Sequence, residues 1–125
     1  MNIEAPDHSQ GTPRKRLVFS LTCAFASYEL DEISKHLDDT LVWTLIGDEP
    51  IIGKNNFLTA LQKMNSNKAK ELTIKSIIED ENRAAVHGSM KMQDGSRFGF
   101  SDFYVFGENG MVKRLDSYVV AIMLD

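Results

Sequence analysis

Two side chains in the second half of the chain could exchange a proton with a substrate, His87 and Asp102. An imidazole changes charge near neutral pH, and a carboxylate beside it would orient the ring for general acid–base work. Whether they meet depends on strand pairing. The stretch from Ala84 to Phe106 reads AAVHGSMKMQDGSRFGFSDFYVF, two alternating runs on either side of Asp94 and Gly95. Asp-Gly is a strong signal for a two-residue hairpin loop, because both positions tolerate positive φ. Such a loop sets Gln93 opposite Ser96 and His87 opposite Asp102, with Cβ atoms about 4.5–5.5 Å apart on one face. That face also carries Ala85, Ser89 and Lys91 on one strand and Phe98, Phe100, Tyr104 and Phe106 on the other. A three-residue turn or a bulge would break the pairing.

A second turn signal, Asn109 and Gly110, pairs Asp102 with Ser117 on the following strand. His87, Asp102 and Ser117 then form a row, but with the carboxylate in the middle. A hydrolase triad needs the histidine there, so serine-hydrolase chemistry is set aside. What remains is an acid–base dyad or, more blandly, a buried polar pair that satisfies itself. Trp43, Phe98, Phe100 and Tyr104 are candidates for core and pocket wall alike, and Lys91 falls near the turn, at a rim. Three scattered histidines and the single Cys23 have no metal-ligand spacing, and no glycine pattern matches a phosphate loop.

These residues need a scaffold that 125 residues must supply as one domain. A net charge of −4 leaves no basic footprint for nucleic acid, and no apolar run reaches membrane-spanning length. One cysteine excludes an internal disulfide and fits a reducing compartment, and the polar N-terminus lacks a signal-peptide core, so the expected location is cytoplasmic. Residues 1–11, rich in Pro, Ser, Gly and Asp, read as a flexible tail before a single domain over 12–125.

Thr12 and Pro13 mark a helix start, and Val18, Leu21, Phe25 and Tyr28 recur at helical spacing to about Ala26. Leu30, Ile33 and Leu37 give a second, short helix, and Leu41 to Ile46 a strand. Phe57, Leu58, Leu61 and Met64 give a third helix after Gly53. From Glu71 onward the pattern is strand, at about 71–80, 83–93, 96–106 and 111–123. Helices first and a meander of long strands last describe an α+β protein with the helices on one sheet face. The two faces of the central hairpin conflict. The first strand is more apolar at Val86, Met90 and Met92, the second at Phe98, Phe100 and Tyr104, and the expected register places these sets on opposite faces. Both faces are therefore expected to be partly buried, one around a pocket and one in a homodimer interface built on Val86, Met90, Met92, Phe103, Val105 and Tyr118.

The unit LDEISKHLDDTLVWTLIGDEPIIGKNNF and the strand and hairpin FGFSDFYVFGENGMVKRL resemble the nuclear-transport-factor-2-like superfamily, in its ketosteroid-isomerase-like and SnoaL-like branches, over residues 12 to 123. The resemblance implies a cystatin-like cone: three N-terminal helices packed in a strongly curved, mostly antiparallel sheet, open at one end and commonly dimeric. It also implies that Thr44 stands where the isomerases carry a catalytic aspartate, Ser20 or Leu21 where they carry an oxyanion tyrosine, and Asp102 at their second carboxylic acid. Steroid isomerisation is therefore disfavoured. The expectation is a cofactor-independent isomerase, cyclase or hydratase for a small apolar substrate, with His87 and Asp102 catalytic. Trp43, Thr44, Ser89, Phe98, Phe100, Tyr104 and Ser117 are expected to line the site. A ligand carrier without turnover and a protein-association module are the rivals, and no metal, nucleic acid or membrane is expected as a partner.

Overall fold

The computed structural model describes residues 1–123, so the last two residues of the expected domain lie outside it. Helix α1 runs over Pro13–Ser27, and Thr12 caps it by accepting the Lys15 amide at 3.1 Å. It ends at Tyr28, whose left-handed conformation (φ 53°) returns its amide to the Ala24 and Phe25 carbonyls. Helix α2 is the single turn Leu30–Ser34, and α3 covers Lys54–Lys63 after Gly53 at φ 97°. The strands are β1 (Asn2–Glu4), β2 (Leu37–Leu45), β3 (Ile51–Ile52), β4 (Ala69–Asp80), β5 (Arg83–Met92), β6 (Arg97–Phe106) and β7 (Val112–Ala121). They form one sheet in the order β1-β4-β5-β6-β7-β2-β3.

Three features differ from the sequence reading. The helices are not an N-terminal block, because β1 precedes them and β2 and β3 interrupt them; Leu37, assigned above to a helix, is buried at the start of β2. The sheet is mostly antiparallel, as expected, but it is open, with β1 and β3 as its edges, and two of its pairings, β1 on β4 and β2 on β7, are parallel. Residues 1–11 are structured where a loose tail was expected: β1 pairs along Glu71 to Thr73, and Ser9, in the 3₁₀ turn Asp7–Gln10, is buried with its hydroxyl on the Pro6 carbonyl. Parallel edge pairing needs no hairpin, so it leaves no turn signal in the sequence.

The central correction is one of register. The β5–β6 loop has three residues, Gln93, Asp94 and Gly95, closed by Met92 and Ser96 through the Met92 amide on the Ser96 carbonyl at 2.8 Å. Gly95 takes the positive φ (90°) at the third position, and Asp94 Oδ1 accepts the Ser96 amide at 2.9 Å. Asp-Gly therefore fills the second and third loop positions instead of the only two. His87 faces Ser101, and Asp102 faces Val86. One residue of slip flips every side chain, which dissolves the conflict between faces. Val86, Met90 and Met92 turn inward together with Phe98, Phe100 and Tyr104, so the apolar sets of both strands share the buried face and His87 and Lys91 stay out of it. The alternative register would bury an imidazole and an ammonium against phenyl rings.

Helix α1 lies on β4 and β5, and α3 on β2, so one sheet face is covered. The core under them includes Val18, Leu21, Ile33, Leu41, Phe57, Leu72, Ile77, Val86, Tyr104 and Leu115. A bulge between Ile74 and Ser76 turns Lys75 outward and shifts β4 by one, so that Leu72, Ile74 and Ile77 all point into the core.

Candidate functional site

Between the helices and the inner sheet face lies a cavity of about 430 Å³. Helix α1 contributes Thr22 and Phe25 to its wall and α3 contributes Phe57 and Leu61, each followed by its cap residue, Tyr28 and Met64. The sheet supplies Trp43 from β2, Met90 and Met92 from β5, Phe98, Phe100 and Asp102 from β6, and Leu115, Ser117 and Val119 from β7. Depth follows the strand registers. Asp102 opposite Ser117 forms the floor, Phe100 opposite Val119 the next rung, and Phe98 opposite Ala121 the one nearest the mouth.

The Asp102–Ser117 pairing is the one expected, reached by a different path. The β6–β7 loop has three residues, Glu108 to Gly110, and a bulge between Val105 and Phe106 restores the register that a two-residue loop would have given. At the floor, Trp43 Nε1 donates to Ser117 Oγ at 3.0 Å, and the Ser117 hydroxyl donates in turn to the Asp102 carboxylate. Trp43, Ser117 and Asp102 therefore form one relay from three strands. Burial pushes the Asp102 carboxyl up to about 6, against which the Ser117 bond works. No lining side chain is Lys, Arg or His.

Tyr104 lies behind this floor. Its ring stacks on Phe106 with centroids 5.8 Å apart and planes 15° from parallel, and it is fully buried outside the cavity wall. Its hydroxyl has no aligned hydrogen-bond partner; the neighbouring Thr22 hydroxyl donates to the Val18 carbonyl at 2.7 Å. Burial first, then the Asp102 charge, hold the Tyr104 phenol well above its ordinary range.

Of the residues singled out in the sequence, Trp43, Phe98, Phe100, Asp102 and Ser117 come together in this cavity. His87 does not: it is exposed on the opposite face, paired with Ser76 and Ser101, so the dyad with Asp102 is ruled out by the register. Ser89, beside Thr73 and Gly99, and Thr44, beside Asp116, also point away from the cavity. Thr22, Phe25, Tyr28, Phe57, Met64, Met90 and Met92 were missed as wall residues. Phe25, Tyr28 and Phe57 had already signalled buried helix stripes; which part of a stripe meets a cavity depends on helix placement. Among the described residues no cluster of His, Cys, Asp or Glu could hold a metal ion, and no helix is long and apolar enough to cross a membrane.

Residues 20–115 match the model of the SnoaL-like domain. No curated protein matches the chain. Among solved structures, an NTF2-like protein from Cytophaga hutchinsonii ATCC 33406 superposes with a TM-score of 0.67 at 23% identity, over 84% of this chain and 97% of that one. An LEH-like epoxide hydrolase of M. tuberculosis does so at 0.71 and 19% identity, over 84% and 80%. A protein described as a SnoaL-like polyketide cyclase from Shewanella denitrificans OS-217 gives 0.73 at 14% identity, over 87% and 92%. At these identities the likeness is one of fold.

Proposed function

From the premise that the chain belongs to the SnoaL-like domain family of the NTF2-like superfamily, we propose that it binds a small, largely apolar molecule in the cavity and moves a proton on it with Asp102. The observation that carries this reading is a single carboxyl group, raised to about 6, at the floor of a mainly apolar cavity of about 430 Å³ with several aromatic rings in its wall. Near neutral pH such a carboxylate can take a proton from carbon beside a carbonyl and return it elsewhere, which is the step shared by isomerases and cyclases. Ser117 holds the carboxylate in place through its hydrogen bond, and Trp43 holds Ser117. The proton transfer itself is assigned to Asp102, which makes the proposed reaction cofactor-independent, and the half-buried Cys23 is in keeping with a cytoplasmic home.

A second reading, a ligand carrier without turnover, is favoured by one observation. No cation stands in the wall to stabilise a developing oxyanion, the Thr22 hydroxyl is committed to the Val18 carbonyl and Tyr104 lies behind the wall, which leaves only the neutral donors of Tyr28 and Asn67 for that task. Deuterium wash-in separates the two. With cyclohexanone in D2O, the first reading expects exchange of the α-protons to be accelerated by the protein and the acceleration to vanish in Asp102→Asn. Binding of the ketone, reported by Trp43 emission, with no acceleration of exchange selects the carrier.

A further inference from the structure

Asp102 is the only charged side chain among those lining the cavity. An ionised carboxylate offers about four acceptor positions, and Ser117 fills one of them. The remaining capacity faces a space whose wall is mainly apolar and in part aromatic: Trp43 packs on Phe57 at 4.9 Å between ring centroids, and Phe57 on Phe25 at 6.0 Å. Trp43 is tied to the carboxylate through Ser117, so the aromatic surface begins beside the charge. An anionic ligand would meet a like charge and aromatic π-faces with no cation to receive it. An alcohol would supply one hydrogen bond. An ammonium group would supply up to three, together with the missing opposite charge, and would lie among aromatic rings that attract cations.

We propose that the cavity selects hydrophobic amines, bound as ammonium ions with the nitrogen on Asp102 and the carbon body along Phe100 and Phe98 toward the mouth. The inference rests on reading the cavity as a small-molecule site and adds the charge of the ligand to it. It also implies a pH dependence. The groups around Asp102 are Tyr104 on its own strand, Val86 on β5 and Ser117 on β7, and the helix side of the cavity wall carries Thr22 on α1 and Tyr28 at its cap. Of these only the tyrosines titrate, and burial raises both. Between about pH 5 and pH 8, then, Asp102 alone changes charge in the cavity, while an alkylamine, like a lysine, stays protonated.

Trp43 is the single tryptophan of the chain and stands in the cavity wall, so its emission reports occupancy directly. The probes are cyclohexylmethylamine, cyclohexylmethanol and cyclohexanecarboxylate, alike in shape and without near-ultraviolet absorption. At pH 8 the amine should bind on the order of tenfold tighter than the alcohol, with the carboxylate weakest. In Asp102→Asn, and in the unaltered protein at pH 5, that advantage should collapse while alcohol binding persists, which also certifies that the variant cavity is intact. An amine no tighter than the alcohol at pH 8, or an advantage that survives in Asp102→Asn, overturns the inference and leaves the proposed function standing. Failure of all three probes to bind overturns both.

Discussion

At the scale of single residues, the placement of Asp102 has a thermodynamic consequence that can be measured without knowing the ligand. Its carboxyl is raised from 3.8 to about 6 by burial. Between those values the folded protein keeps a proton on Asp102 that the unfolded chain has released, so this group's contribution to stability falls as pH rises through the window and levels off above it. Cavity access moderates the desolvation, and the loss should be on the order of 2 kcal/mol. Asp102→Asn removes the titration while keeping the shape. Urea denaturation at pH 4, 5.5 and 7 should therefore show the variant gaining on the parent as pH rises, and parallel pH profiles would refute the buried, ionising carboxyl. Ser117→Ala takes away the donor that holds the carboxyl down. The Asp102 midpoint, followed by carboxyl-carbon NMR, should rise further in that variant, and an unchanged midpoint would break the proposed relay.

Among the elements, the β4–β5 pair carries the tightest constraint. A Cβ built on Gly88 would lie 1.9 Å from the Thr73 carbonyl oxygen and 3.0 Å from its carbon, both backbone atoms that cannot swing aside. The contact arises where the Lys75 bulge brings β4 over β5. Gly88→Ala should destabilise the protein by about 3 kcal/mol or prevent folding, since overpacking against backbone has no rotamer to relieve it. Gly99, opposite Ser89 in the β5–β6 ladder, has only an ordinary 3.9 Å neighbour. Gly99→Ala should cost less than about 1 kcal/mol, and equal midpoints for the two variants in chemical denaturation would contradict this local geometry.

For the molecule as a whole, the outward sheet face matters most. Ile78, Phe103, Tyr118 and Val120 are each 45–68% exposed there, with Phe103 and Tyr118 in edge-to-face contact at 5.7 Å. The homodimer expected from sequence survives as a proposal on an altered patch: Phe103, Val105 and Tyr118 remain on this face, whereas Val86, Met90 and Met92 belong to the inner one. Sedimentation at micromolar concentration should give twice the 14.1 kDa of one chain, and Phe103→Asp should return it to one. A parent protein that sediments as 14.1 kDa would remove the dimer.

The chain by itself determined α1, α3 and the four long C-terminal strands, and through them part of the site wall. Thr12 and Pro13 start α1 where capping chemistry puts them, and the long strands follow from their alternation. Asp102, Ser117 and the aromatic residues of β6 were legible because they lie on one strand face or directly across one ladder. What the sequence left open was the choice between two loops that both use Asp94 and Gly95, and it carried His87 from the site to the far surface. Local turn preference favours the shorter loop, but the difference between the two is small beside the burial of Val86, Met90 and Met92 and the placing of Lys91 and His87 on the outward face. Only the packing of both strands against α1 and the core compares those terms together, and tertiary structure therefore decided the register and with it the members of the site.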